Sequence, residues 1–359
     1  MTEQQILRLM RPNIQALEPY STARDELSGS PDVFLDANES PFENGYNRYP
    51  DPRQKDLKAH LAEIKGIPAG NIFIGNGSDE AIDLMYRLFC IPGKDNAVMI
   101  APSYGMYGVA ARTNDVEARQ VVLNDDFSLP SERILAACDG NTKLIWICSP
   151  NNPTGNAFPR EQILHLAEKT GCMVVVDEAY IDFSSQPSLL GDIAANPNIV
   201  VLQTLSKAWG MAGLRLGMAF GAGVVISKMN DVKYPYNING PVQKVVLGQL
   251  QNPVDDKVAL TLSERDRLRR GLEETGFRVH PSDANFLLVD VAPEGAAGRD
   301  EYADKAYKYL LDKGIIVRNR TRMPLCGGCI RITVGLPEEN SAVLEAMARF
   351  RSVPATKQA

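Results

Sequence analysis

From about residue 70 the chain alternates short apolar runs with segments whose apolar residues recur every three or four positions, strand-like and helix-like in turn. The runs "NIFIG" (71–75), "AVMIA" (97–101), "EARQVVL" (117–123), "KLIWICS" (143–149), "CMVVVD" (172–177), "NIVVLQT" (198–204) and "LGMAFGA" (216–222) read as strands. Between them, "SDEAIDLMYRLFC" (78–90), opened by Ser and Asp, and "PREQILHLAEKTG" (159–171), stopped by glycine, read as amphipathic helices. "CMVVVD" and "NIVVLQT" lack polar alternation, which marks strands buried on both faces. The pattern predicts an α/β fold: a mostly parallel seven-stranded sheet with helices on both faces.

After about residue 240 the rhythm changes. A long charged helical stretch (253–275), the strand "ANFLLVD" (284–290), the helix "EYADKAYKYLLDKG" (301–314), the segments "GIIVRN" and "CIRITVG", and a helix from Pro337 describe a smaller α+β domain. Residues 1–30 have no place in the sheet pattern. They are expected as an N-terminal segment packing with the small domain, with a large domain at 31–255 and the small C-terminal domain at 256–359.

The length of 359 residues accommodates two closely built domains, and 44% hydrophobic with 23% charged residues is ordinary for an enzyme-sized globular chain. A net charge of −6 argues against a general nucleic-acid binder but leaves an anionic small molecule open, since a few local arginines suffice for one. No apolar window is long enough for a transmembrane helix, and "MTEQQILRLMRPNIQ" lacks the apolar core of a signal peptide, so a cytoplasmic protein without membrane contact is expected. The six cysteines lie mostly in apolar runs and read as reduced and buried. "CGGC" (326–329) has the spacing of a metal pair, but no second pair exists and the three histidines are scattered, so no metal site is expected.

Ligands of open α/β sheets bind beyond the carboxyl ends of the strands. There the chain places "GNGSDE" (75–80), whose glycines allow a tight turn into a helix start suited to a phosphate. Simple capping by Ser78 explains the same turn. "PNNPTG" (150–155) carries Asn152, "DEAY" (177–180) carries Asp177 and Tyr180, and "TLSKAWGMAGLR" (204–215) carries Ser206, Lys207 and Arg215 among apolar residues and the turn-forming Gly210 and Gly213. A carboxylate ending an apolar strand needs a partner, and an Asp177–Lys207 salt bridge is the plain structural explanation. One chemistry uses all the parts. Pyridoxal 5'-phosphate needs a lysine for covalent attachment, an acid opposite its ring nitrogen, an anion cup and an aromatic neighbour. Lys207, Asp177, the 77–79 turn with Ser206 and Arg215, and Tyr104 of "APSYGMY" supply them.

"SPNNPTG", "DEAY" and "TLSKAWGMAGLRLG" resemble the signature blocks of the class-II-like, fold-type I pyridoxal-phosphate-dependent aminotransferases. "LDANESP" (35–41), "NRYPDP" (47–52), "GNGSDE", "SDANFLLV" and "VRNRTRMPLCGGCIRITVG" narrow the resemblance to the histidinol-phosphate aminotransferase family. The resemblance implies transamination between L-histidinol phosphate and 2-oxoglutarate in histidine biosynthesis. It makes Lys207 the cofactor lysine and Asp177 the partner of the ring nitrogen. Tyr180 and Asn152 would bind the ring hydroxyl oxygen, and Ser78, Asp79, Ser206 and Arg215 the phosphate, with Tyr104 stacked on the ring. Arg331, Arg318 and Tyr20 would bind substrate, with Arg320 and Arg322 close enough in sequence to compete for the place of Arg318. Tyr49 would reach the neighbouring subunit's cofactor, which implies a homodimer, and Asn152–Pro153 is implied to be cis.

Two relatives of that fold stay open as alternatives: an aromatic amino-acid aminotransferase, and a lyase like threonine-phosphate decarboxylase. A transcription regulator built on the same fold would need a basic helix-turn-helix extension, for which the residues before "VFLDANESP" leave no room.

Overall fold

The computed structural model describes residues 1–19 and 32–352. The expected strands form as β1 (Ile72–Asn76), β2 (Asn96–Ala101), β3 (Glu117–Val122), β4 (Thr142–Cys148), β5 (Met173–Asp177), β6 (Ile199–Thr204) and β7 (Leu216–Phe220). They build one seven-stranded sheet in the order β1-β7-β6-β5-β4-β2-β3. The pairs from β3 through β6 are parallel, whereas β7 runs antiparallel to both β6 and β1. The central strands β4, β5 and β6 are mostly apolar because both faces are covered, whereas the edge strand β3, "EARQVV", is largely open to solvent. Ile145, Ile147, Val174, Val176 and Val201 enter one core cluster, and the alternate residues Leu144, Trp146, Met173, Val175 and Val200 enter the other. Each such side chain contributes about 1.5–3 kcal/mol on burial.

The helix Glu3–Leu9 starts in a capping box, where Thr2 and Gln5 satisfy each other's backbone N–H groups. It corrects the expectation that the N-terminal segment packs with the small domain. Ile6, Met10 and Ile14 form an apolar stripe that enters the core cluster of the large sheet together with Phe73, Met85 and Val225. Arg11 N–H adds a 2.9 Å hydrogen bond to the Leu88 carbonyl.

Beyond residue 254, β8 (Arg278–Val279), β9 (Phe286–Asp290), β10 (Arg318–Asn319) and β11 (Cys329–Thr333) form an antiparallel sheet in the order β10-β11-β9-β8. One face, with Leu287, Val289, Ile330 and Ile332, packs on the helices Asp255–Glu274, Arg299–Asp312 and Pro337–Ser352. The opposite face turns to the large sheet: Leu288 and Cys329 belong to the large core cluster, and Phe286 joins Ala179 and Tyr180 in a small cluster between the two sheets. Every second residue of β9 and β11 therefore belongs to the junction.

At one edge the backbones approach so closely that a side chain has no room. A Cβ on Gly217 of β7 would lie 2.2 Å from Ser78 N and 2.3 Å from Gly77 C, backbone atoms that cannot swing aside. Gly217→Ala is expected to cost about 3 kcal/mol of stability. Denaturant titration checks this, and a loss below about 1 kcal/mol contradicts it.

Candidate active site

All parallel strands of the large sheet end at one edge. Because β7 alone is reversed, its beginning lies at that edge too, and Arg215 is brought back beside the turn after β1: Gly77 N–H donates to the Arg215 carbonyl at 2.7 Å. Arg215 itself takes the left-handed conformation (φ 55°), and Gly77 has φ 71°. The edge holds an open cleft. Gly77, Ser78, Asp79, Tyr104, Asn152, Asp177, Tyr180, Ser206, Lys207 and Arg215 all line it, so residues far apart in the chain are gathered as expected.

Asp177, the last residue of β5, is buried, and burial pushes its carboxyl up to about 6 against the stabilising donors around it. Those donors are the Tyr107 hydroxyl at 2.7 Å and the Ala179 N–H at 3.1 Å. Among the described residues no Asp177–Lys207 ion pair forms, which removes the plain salt-bridge explanation. Tyr107 is a site residue that sequence reasoning missed. It sits in the helix Met106–Thr113, is fully buried, and stacks on Trp146 at 4.9 Å while Tyr104 meets its edge at 5.6 Å. The signal was the second tyrosine of "APSYGMY", three positions after Tyr104.

Lys207 follows β6 and reaches into the open cleft with its amine 5.5 Å from the centre of the Tyr180 ring. Desolvation by the cleft walls lowers its pKa below the ordinary lysine value. The charge of Arg331 acts the same way, and Asp177 opposes it. Ser206 lies beside Thr204, another residue missed from sequence, whose hydroxyl oxygen accepts the Ser206 N–H at 3.1 Å. Ser78 does not cap its helix: the Glu80 carboxylate reaches back to the Asn76 N–H at 2.5 Å instead. Asp79 receives the Tyr104 hydroxyl at 3.1 Å and pairs with Arg215 at 3.4 Å.

The Asn152 amide joins the two sheets. It donates to the Tyr180 hydroxyl at 3.3 Å and accepts from Arg331 Nη1 at 2.5 Å. The Arg331 guanidinium lies 5.0 Å above the Phe286 ring. The Asn152–Pro153 bond is cis, as expected, and so are Ala101–Pro102 and Ser149–Pro150. The remaining expected residues stand elsewhere. Arg318 is exposed opposite Arg331 in the strand register. Tyr49 is half exposed, stacked on Tyr236 at 4.4 Å and absent from the residues that line the cleft. Tyr20 lies outside the described residues.

This sheet and edge site are those of a class I and II aminotransferase, and the model of that family matches residues 24–347. A curated histidinol-phosphate aminotransferase from Parabacteroides distasonis is 51% identical over 347 residues, 96% of this chain and 98% of its own length. Another from Flavobacterium johnsoniae is 45% identical over 346 residues, 94% of this chain and 97% of its own. The chain thus belongs to the histidinol-phosphate aminotransferase family. Among solved structures, the histidinol-phosphate aminotransferase of Sinorhizobium meliloti in complex with pyridoxal-5'-phosphate has a TM-score of 0.77 at 25% identity, covering 85% of this chain and 83% of that one. An L-threonine-O-3-phosphate decarboxylase from Porphyromonas gingivalis shares the fold at a TM-score of 0.65 and 24% identity, covering 84% of this chain and 90% of its own.

Burial of Asp177, opposed by the Tyr107 hydrogen bond, sets a pH dependence in the cofactor-free protein. The folded-state pKa of Asp177 is raised from 3.8 to about 6, so its carboxyl favours the fold below pH 4 and progressively less as pH rises through 6. The full difference is on the order of 3 kcal/mol. Tyr107→Phe removes a donor to the ionised form and raises that pKa further. The variant's stability deficit relative to the parent is expected to widen between pH 4 and pH 8 in denaturant titrations. A deficit independent of pH would show that the hydroxyl does not act on Asp177.

Proposed function

We propose that this aminotransferase transfers an amino group between L-histidinol phosphate and 2-oxoglutarate, giving imidazole acetol phosphate and glutamate, as a cytoplasmic enzyme of histidine biosynthesis with pyridoxal 5'-phosphate as cofactor. The observation that carries this reading is a single cleft that gathers the buried Asp177 carboxyl and the Lys207 amine, with Arg331 bonded to Asn152 of its wall. The donor set fits the cofactor. The Gly77–Asp79 turn, Ser206 and Arg215 form a cup for its phosphate, Tyr104 stands where the ring would stack, and Asn152 with Tyr180 would hold the ring hydroxyl oxygen. Lys207 would hold it covalently.

When bound, the cofactor supplies an electron sink for the bond broken at the substrate's α-carbon. The protein does the rest. Asp177 has no cation of its own to neutralise it, so it is placed to hold a proton on a ring nitrogen. Lys207, inclined to its neutral form by desolvation and by the charge of Arg331, takes the substrate's α-proton and delivers it again when the amino group has moved. Arg331 binds the substrate's anionic group, the phosphate of histidinol phosphate in one half-reaction and the carboxylate of glutamate in the other. Tyr49, outside its own cleft and half exposed, would reach the phosphate cup of a second copy, so the working unit is a homodimer.

The test is the half-reaction of cofactor-loaded protein, followed by absorbance, with histidinol phosphate, glutamate, phenylalanine and threonine phosphate side by side. Histidinol phosphate and glutamate are expected to convert it. Faster conversion by phenylalanine points to an aromatic aminotransferase instead, and carbon dioxide from threonine phosphate to a lyase. Lys207→Ala is expected to abolish the borohydride-sensitive absorbance band. Arg331→Ala is expected to lower kcat/KM about a hundredfold for both substrates. If glutamate alone suffers, histidinol phosphate is not the partner.

A further inference from the structure

Arg331 stands on the small sheet and Lys207 follows a strand of the large one, so their separation is set by whatever fastens the two sheets together. One carboxylate makes much of that fastening. Asp283 lies between β8 and β9, and its side chain reaches across to the large domain. Its Oδ1 accepts the Ser185 N–H at 3.1 Å and the Ser185 hydroxyl at 2.9 Å, and its Oδ2 accepts the Ala157 N–H at 3.4 Å. Its own N–H donates to the Gly155 carbonyl at 2.8 Å. Gly155 has φ 86°, and a Cβ there would lie 2.7 Å from Ser282 Oγ and 3.3 Å from Ser282 Cα, so the two segments meet backbone to backbone.

This corner is joined to the site from both sides. On the large side, Gly155 and Ala157 belong to the loop that carries Asn152, and the loop is braced internally. Gly155 N–H donates to the Asn151 carbonyl at 2.7 Å, Asn151 N–H to the Asn156 carbonyl at 2.8 Å, and the Thr154 hydroxyl to the Asn156 side chain at 2.6 Å. On the small side, the Ser282 hydroxyl donates to the Phe286 carbonyl at 2.6 Å, which fixes the entry into β9. Phe286 pairs with Thr333 and Leu288 with Arg331, and the Phe286 ring lies 5.0 Å from the Arg331 guanidinium. The Asp283 corner and the Arg331–Asn152 hydrogen bond are thus two attachments between the same loop and the same pair of strands. Hydrogen bonds to an ionised carboxylate are stronger than neutral ones, and donors on both of its oxygens fix its angle as well as its distance.

We infer that Asp283 is a positioning residue: it pins the small sheet to the 150–157 loop and so sets where Arg331 stands relative to Lys207. This rests on the proposed reading that Arg331 binds the substrate's anionic group. Asp283 acts only through that placement, and it is not among the residues that line the cleft.

The experiment uses the cofactor-loaded protein with Asp283→Ala, Asp283→Asn and Arg331→Ala. The half-reactions with glutamate and with histidinol phosphate are followed against substrate concentration, giving a maximal rate and a half-saturating concentration for each. Glutamate alone carries the test if histidinol phosphate is not converted. Methoxyamine, a small amine with no anionic group that reacts with the bound cofactor, serves as the comparison. Asp283→Ala is expected to raise the half-saturating concentration of the anionic substrates about tenfold, with the maximal rate within about twofold of the parent and the methoxyamine rate unchanged. Asp283→Asn should recover part of the loss, since it keeps one acceptor for Ser185 but not the charge or the acceptor for Ala157. If Asp283→Ala does not fold, Asp283→Asn is expected to show a smaller rise of the same kind. An unchanged half-saturating concentration in Asp283 variants that melt like the parent overturns the inference. So does a loss shared equally by methoxyamine, which would mark general damage to the site. If Arg331→Ala weakens substrate binding and the Asp283 variants do not, the inference alone falls. If Arg331→Ala has no effect, the reading of Arg331 falls and takes the inference with it.

Discussion

A carboxylate fully enclosed by protein and, among the described residues, in no ion pair is the constraint around which this site is organised. Asp177 ends a strand covered on both faces, so water cannot solvate it. Its stabilisation comes from two hydrogen bonds, one from the Tyr107 hydroxyl and one from the Ala179 N–H. Both require their surroundings to be rigid. Tyr107 is clamped against Trp146, Trp146 against Tyr86, and the Tyr86 hydroxyl donates to the Tyr107 carbonyl at 2.9 Å. The aromatic stack under the sheet edge thus holds a donor in place for a group that would otherwise keep its proton. A salt bridge to Lys207 would stabilise Asp177 more, and would silence both residues for chemistry.

The cations are kept apart from it by topology. Arg215 arrives on the one reversed strand and pairs with Asp79, on the helix start. Arg331 arrives on the small sheet and leans on Phe286 and Asn152. Each lowers the pKa of Lys207 from a distance while neither touches Asp177. The Lys207 amine therefore feels both cations, which lower its pKa, and both carboxylates, Asp177 and Asp79, which oppose them. This arrangement draws on both sheets, because the large sheet alone does not carry Arg331. The small core of Ala179, Tyr180, Ala208, Ala284 and Phe286 sets the spacing between them.

The strands were legible because burial on both faces leaves an unbroken apolar run, and the strand-end rule then located Asn152, Asp177 and Lys207 without any contact information. Family resemblance added Arg331 as the expected anion clamp. Tyr107 was hidden because its helix, "MYGVAART", is short and its hydroxyl acts on a residue seventy positions away in sequence. The N-terminal helix was misassigned because an apolar stripe such as Ile6, Met10 and Ile14 says that a surface is covered but not which one. Gly213 was read as a turning point, yet the left-handed position is Arg215 itself, a strain accepted where its carbonyl must meet Gly77 N–H.

The Asn152 amide carries a double load that links binding to chemistry. Its oxygen occupies one nitrogen of the Arg331 guanidinium, and its nitrogen holds the Tyr180 hydroxyl. A guanidinium has five N–H donors, so the bond to Asn152 orients the fork and leaves other donors for a ligand, including the buried, unpaired Nε. An anion arriving there meets a group already turned towards it. The same amide bonds Tyr180, whose ring centre lies 5.5 Å from the Lys207 amine. Arg331, Asn152 and Tyr180, from three separate segments, thus form one connected chain of side chains beside the Lys207 amine.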